Sequence, residues 1–339
     1  MEKIRLGRTE LLVTKTAFGA LPIQRLTKPD AAKLVRRAFE AGINYFDTAN
    51  MYSDSEEKLS LALKDVREQV IISTKSGATD KKGAMAHIEN SLRHLGYIDL
   101  FQFHNPARLP DISDPNGAFA AALEMKEKGY IRHIGITNHR HHIAKAAIES
   151  GNFETLQFPF CHLATDVDME LVALCKQADM GFIAMKGLSG GLLTNAEACY
   201  AFMQQYENVV PIWGIQREEE LDQWLDITAR NVTMTEELKA VIEADRKELA
   251  GSFCRGCGYC MPCPAGIEIN NSARMNMLLR RSPYKPYLSD EWYEKMHRIE
   301  NCIHCGQCAS RCPYHLDTPS LLQYMLKDYD EFYAKHHND

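Results

Sequence analysis

Eight of the eleven cysteines fall in two short runs late in the chain. The first is Cys254-x2-Cys257-x2-Cys260-x2-Cys263-Pro264, and the second is Cys302-x2-Cys305-x2-Cys308-x3-Cys312-Pro313. In a reducing compartment, thiols at this density bind metals more often than they form disulfides. The second run, with its closing Cys-Pro, has the spacing of an iron–sulfur site. The first is one residue short in its last gap. Where two clusters share a domain, the fourth cysteine of each run ligates the other cluster, so a shorter gap there can be accommodated. The expectation is two [4Fe–4S] clusters held by all eight cysteines. One cluster with a degenerate first run is the main alternative. Zinc is the other, although zinc sites usually use paired Cys-x2-Cys knuckles rather than four cysteines in a row. Cys161, Cys175 and Cys199 are scattered and read as small apolar packing residues.

A second constellation consists of Asp47, Tyr52, Lys75 and His104. The strands 43–47, 70–74 and 98–103 end on or beside Asp47, Lys75 and His104, and Tyr52 lies five residues beyond Asp47. Any one of them alone reads more simply as a cap, a solvated strand end or a turn residue. Together they suit carbonyl reduction. A carbonyl carbon that accepts hydride leaves charge on its oxygen, which then needs a proton. A free tyrosine, with a pKa of ~10, is a poor acid near neutrality. A nearby ammonium stabilises the tyrosinate. Asp47 would keep Lys75 charged and oriented, and His104 would hydrogen-bond the substrate oxygen or share the proton.

The elements that must position these residues follow one recurring unit: an amphipathic helix, a glycine, then a short apolar strand. Thr27-Lys28-Pro29-Asp30 reads as a helix start, and Gly42, Gly96, Gly129, Gly151 and Gly181 stand at the stops. Further strands are expected at 131–136, 155–160, 182–185 and 209–213. A first strand should end at Phe18-Gly19-Ala20, with a hairpin over 6–13 before it. About eight strands alternating with helices imply a parallel (β/α)8 barrel of the TIM type, with catalytic residues at the C-terminal strand ends. A doubly wound open sheet is the alternative. It would show a Gly-rich phosphate turn after its first strand, and Phe-Gly-Ala-Leu-Pro lacks one.

Four stretches in order carry a resemblance: Gly-Ile-Asn-Tyr-Phe-Asp-Thr-Ala-Asn-Met-Tyr (42–52), Ile-Ser-Thr-Lys (72–75), Leu-Phe-Gln-Phe-His (100–104) and Ile-Gly-Ile-Thr-Asn (134–138). Over roughly residues 1–230 the chain resembles the aldo-keto reductases. The resemblance implies Asp47, Tyr52, Lys75 and His104 as the catalytic tetrad. It implies Thr137, Asn138 and Gln157 as holders of the nicotinamide carboxamide. The stretch 185–192, with Met185, Lys186, Gly187, Leu188 and Gly190, would cover the nicotinamide and pyrophosphate. Met185 stands where the family often has an aromatic ring. The adenosine end is implied near Gly214, Gln216 and Arg217. Three glutamates follow Arg217, so NADP, the family's usual cofactor, and NAD both stay open. The cysteine region resembles the α-helical ferredoxin type, because its two runs are separated by 38 residues that read as largely helical.

The expected organisation is a barrel over 1–247 and a mainly helical iron–sulfur domain over 248–339, with a charged helix ending at Gly251. The formal net charge of −6 favours neither nucleic acid nor an anionic membrane. No run of ~18 apolar residues is present, and the protein reads as cytoplasmic. The expected activity is NAD(P)H-dependent reduction of a small carbonyl, or oxidation of an alcohol, with Tyr52 as proton donor. The alternative is an electron-transfer or redox-sensing protein in which the barrel is mainly a scaffold. An external electron-transfer partner fits either reading, since hydride carries two electrons and a cluster normally one.

Overall fold

The computed structural model describes residues 1–249, 253–281, 284–312 and 314–337. The expected helix stop at Gly251 and the closing Pro313 lie outside the described residues. The chain divides into two compact units, Met1–Gly187 with Glu197–Lys239, and Leu188–Ala196 with Ala240–Asp339.

The first unit opens with an antiparallel hairpin, β1 (Lys3–Arg5) and β2 (Leu12–Thr14). The sequence places this hairpin over 6–13, but residues 6–11 are its connection. Leu6, Leu11 and Val13 are buried against Tyr45, Ile71, Leu100 and Val210, so they plug the barrel floor. Eight parallel strands then close on themselves: β3 (Ala17–Gly19), β4 (Tyr45–Asp47), β5 (Ile71–Ser76), β6 (Ile98–His104), β7 (Ile131–Thr137), β8 (Thr155–Pro159), β9 (Gly181–Met185) and β10 (Val209–Gly214). The seam pairs Trp213 with Phe18. Near-continuous apolar runs suit strands buried on both faces.

Helices α1 (Lys28–Glu40), α2 (Ser55–Leu63), α3 (Lys81–Leu95), α4 (Ala118–Glu127), α5 (His141–Ser150), α6 (Asp166–Gln177), α7 (Ala196–Gln204) and α8 (Glu218–Ala229) alternate with the strands. Their ends follow the local chemistry. The Thr27 hydroxyl accepts from Asp30 N at α1, and Asp80 accepts from Gly83 N at α3. α5 stops at Gly151 in the left-handed region, φ +69°. α9 (Glu236–Glu248) follows.

The second unit is helical: α10 (Ile269–Ser272), α11 (Met275–Arg281), α12 (Asp290–His297), α13 (Gln307–Arg311) and α14 (Thr318–His336). It has its own apolar core, in which Leu278, Leu279, Met296, Ile299, Leu322, Met325 and Tyr329 are buried together. Arg280 pairs with Asp328 through two bonds of 2.7 Å, and Tyr329 donates to Tyr287 O. No described helix is long and apolar enough to cross a membrane.

Candidate active site and cysteine recesses

At the C-terminal ends of β4, β5 and β6 the structure brings Asp47, Tyr52, Lys75 and His104 together. Asp47 and Lys75 are buried, 3% and 1% exposed. The Lys75 ammonium donates to Asp47 Oδ2 and to Thr48 O, both at 2.6 Å. Burial pushes the Lys75 ammonium below its ordinary range, and the Asp47 carboxylate opposes that shift. Tyr52 is held by its loop. Thr48 N and Asn50 N donate to Ser73 O and Lys75 O, extending the β4–β5 ladder, and Tyr52 N then closes a tight turn onto Ala49 O. The Tyr52 ring centroid lies 5.4 Å from Lys75 Nζ and meets the His104 ring edge-on at 5.9 Å. Burial first, and the Lys75 charge second, lower the His104 pKa from 6.5 to about 3. His104 is therefore neutral at pH 7, and its buried Nδ1 has no hydrogen-bond partner among the described residues.

The sequence reading missed the residues beneath this group. Ser73 Oγ donates to Asp47 Oδ1 at 2.6 Å, and Tyr45 OH donates to Ser73 Oγ at 3.0 Å. Gln102 Nε2 bonds Asp47 Oδ1 at 3.3 Å and Gln157 Oε1 at 2.8 Å. Gln157 Nε2 lies 3.4 Å from Asp47 Oδ2. Tyr45, Ser73 and Gln102 each stand two residues before a tetrad position, so the alternation of strand side chains places them on the same face. That two-residue step is the signal that could have found them. Glu56, also missed, is buried on α2 and accepts from Thr74 Oγ1 and Ser91 Oγ. It fixes the helix after the Tyr52 loop to the strand that carries Lys75.

The residues expected to hold the nicotinamide end are already bonded within the chain. Thr137 Oγ1 accepts from Asn105 N, Asn138 Oδ1 accepts from His139 N and Arg140 N, and Asn138 Nδ2 donates to Pro106 O. Met185 ends β9, and Lys186 follows with φ +58°. A Cβ on Gly187 would lie 2.4 Å from the Trp213 ring, so only glycine fits there. Leu188 and Gly190 belong to the second unit. Gly214 ends β10 against Pro22. Gln216 N and Arg217 N donate to Glu220 Oε2, and the Arg217 Nε and Nη2 donate to Glu220 Oε1 at 2.9 and 2.8 Å. The side chain of Gln216 accepts from Arg25.

In the second unit, Cys254, Cys257, Cys260 and Cys312 line one recess, with Arg255, Ile269, Ala273, Tyr314 and Leu316. Cys263, Cys302, Cys305 and Cys308 line a second, where Cys260 also reaches the wall. Each recess thus combines three cysteines of one run with the last cysteine of the other. Among the described residues, no three His, Cys, Asp or Glu side chains are gathered around a single-ion position.

A family model for the aldo/keto reductase family matches residues 15–200, and one for a 4Fe-4S dicluster domain matches residues 253–317. The chain belongs to the aldo/keto reductase family. It is an aldo-keto reductase-type oxidoreductase with a 4Fe-4S dicluster domain. Over 252 residues it is 25% identical to the uncharacterized oxidoreductase YqkF of Bacillus subtilis, which covers 70% of this chain and 81% of that one. Over 272 residues it is 26% identical to an NADH-specific methylglyoxal reductase of Escherichia coli, covering 68% and 82%. An aldo-keto reductase structure from Bacillus halodurans aligns with a TM-score of 0.63 at 22% identity, over 72% of this chain and 96% of that one. The expected (β/α)8 barrel is the fold observed.

Proposed function

We propose that the chain catalyses NAD(P)H-dependent reduction of a small carbonyl compound, or the reverse oxidation of an alcohol, with Tyr52 as proton donor. The observation that carries this reading is the buried Lys75–Asp47 ion pair beside the Tyr52 ring, with a neutral His104 edge-on. When bound, the dinucleotide supplies or accepts hydride. The chain's own residues handle the proton. The Tyr52 hydroxyl donates it to the substrate oxygen, and the Lys75 ammonium favours the tyrosinate left behind. Asp47 holds Lys75 in place with two of its three N–H groups committed, to Asp47 and Thr48. Neutral His104 orients the substrate oxygen by a hydrogen bond.

Thr137, Asn138, Gln157, Met185, Lys186, Gly187, Leu188, Gly190, Gly214, Gln216 and Arg217 are proposed to hold the dinucleotide. Arg217 is the cation expected to meet a 2′-phosphate, yet its guanidinium is engaged by Glu220, which also takes the amides of the α8 start. A phosphate there would meet a carboxylate already in place. This favours NADH over the NADPH that family habit suggests, as does the NADH-specific relative. The eight cysteines are proposed to hold two [4Fe–4S] clusters, Cys254, Cys257, Cys260 and Cys312 one, Cys263, Cys302, Cys305 and Cys308 the other. The functional division is proposed at residue 247, and a reducing cytoplasm suits so many thiols.

The test is anaerobic turnover of a panel of small carbonyls by wild type and Tyr52→Phe. Loss of a general acid should lower kcat by about 10²–10⁴-fold while NADH binding and iron content persist. Undiminished turnover by Tyr52→Phe would remove Tyr52 from the chemistry. The two cysteine recesses favour a second reading, an electron-transfer protein with the barrel as scaffold. Cluster bleaching by NADH with no turnover of any carbonyl would select it.

A further inference from the structure

Arg274 occupies a slot made by two glycines of the second unit. A Cβ on Gly256 would lie 2.8 Å from its Cζ, and one on Gly190 2.6 Å from its Nη1. Both glycines have positive φ, +63° and +70°. A side chain is therefore excluded at each by backbone conformation and by the guanidinium itself. Nη1 donates to Gly190 O at 3.1 Å. Nε is enclosed and has no hydrogen-bond partner among the described residues. Immediately beside the slot, Gly256 N donates to Cys254 Sγ at 3.4 Å, and Ala273, the residue before Arg274, lines the Cys254 recess. The Cys254 recess is itself lined by Arg255, with Arg274 behind its wall, whereas the other recess is lined by no lysine or arginine among the described residues.

We propose that Arg274 is a positioning residue that raises the reduction potential of the cluster held by Cys254, Cys257, Cys260 and Cys312, and ties that cluster's charge to the segment 188–196 through Gly190. The inference rests on the cluster reading given above. An electron added to this cluster increases negative charge beside a fixed cation, so the reduced state gains more from Arg274 than the oxidised one. By linkage, reduction tightens the grip on the guanidinium and on the Gly190 carbonyl it holds.

The experiment uses the full chain, purified anaerobically, with iron and sulfide assayed before an EPR-monitored dithionite titration. Dithionite supplies one electron per cluster and no bond in the chain changes. Arg274→Met should disfavour reduction of one cluster at least tenfold, which for one electron is about 59 mV. Arg274→Lys, which keeps the charge, should stay within about threefold of wild type on the same scale. In wild type, reduction should slow proteolysis within 188–196, and in Arg274→Met it should not. Gly190→Ala, which presses a methyl group onto Nη1, should move the potential in the same direction by a smaller factor. The proposal is overturned if Arg274→Met titrates like wild type, if Arg274→Lys shifts as far as Arg274→Met, or if the lysine variant also loses its iron, since Arg274 would then only pack. Wild type without iron would sink the cluster reading itself, whereas iron near eight per chain with an unmoved potential sinks this inference alone.

Discussion

The barrel end and the cysteine recesses meet the demands of buried polarity in opposite ways. In the barrel, Asp47 is surrounded by donors from the chain itself, the Ser73 hydroxyl, the Lys75 ammonium and the amides of Gln102 and Gln157. In the second unit, thiols line recesses whose other walls are largely apolar, Ile269, Ala273 and Leu316 in one, Ile267 and Leu322 in the other. The surrounding backbone also differs. Asp47, Lys75 and His104 sit on hydrogen-bonded strands, whereas residues 253–266 form no helix or strand and α13 spans five residues. The barrel site is organised by its own polymer. The cysteine segments are proposed to be organised by the clusters they would hold.

The largest test of this contrast is cluster removal. Oxidative loss of iron with a chelator present should expose 253–266 and 302–312 to protease, while the α11, α12 and α14 core yields later and the barrel keeps its thermal transition. Simultaneous loss of both transitions in calorimetry would break the comparison. Next is Asp47→Asn, which leaves a buried ammonium without its carboxylate. Removing one partner of a buried pair costs about 3–5 kcal/mol. The barrel transition alone should fall, with iron content unchanged.

The most gradual effect is with pH. His104 binds its proton less tightly folded, at about 3, than at its ordinary 6.5. Between these values the unfolded chain carries the extra proton, so the barrel is destabilised as pH falls below 6.5. The slope is at most about 1.4 kcal/mol per pH unit for one proton. Urea unfolding of His104→Gln across pH 4–7 should lack this share of the slope. A slope identical to wild type would show that His104 does not titrate in this way.

The barrel was legible because its signals are local and repeated. An apolar strand, a polar residue at its end and a glycine stop recur in a fixed period, and that period alone implies eight parallel strands. Asp47, Tyr52, Lys75 and His104 were visible as polar residues where apolar ones end. Ser73 and Gln102 were not, because a polar residue inside a strand reads as a weakness of the strand until the layer it joins is known. The hairpin was displaced because Leu6 and Leu11 look like strand residues but are buried as a plug. The crossed sharing of cysteines was suggested by spacing. Arg274 was invisible, because its slot comes from two glycines 66 residues apart in sequence.

The close approach of Gly187 to Trp213 has a spectroscopic consequence. Trp213 is 1% exposed and stacks on Trp224 with ring centroids 3.9 Å apart. The chain has three tryptophans, and the third, Trp292, packs against the core of the second unit. Stacked indoles at this distance should couple as an exciton pair in circular dichroism, while Trp292, packed on Tyr287, belongs to the other unit. The circular dichroism of the pair should therefore follow the barrel alone, with no dye attached.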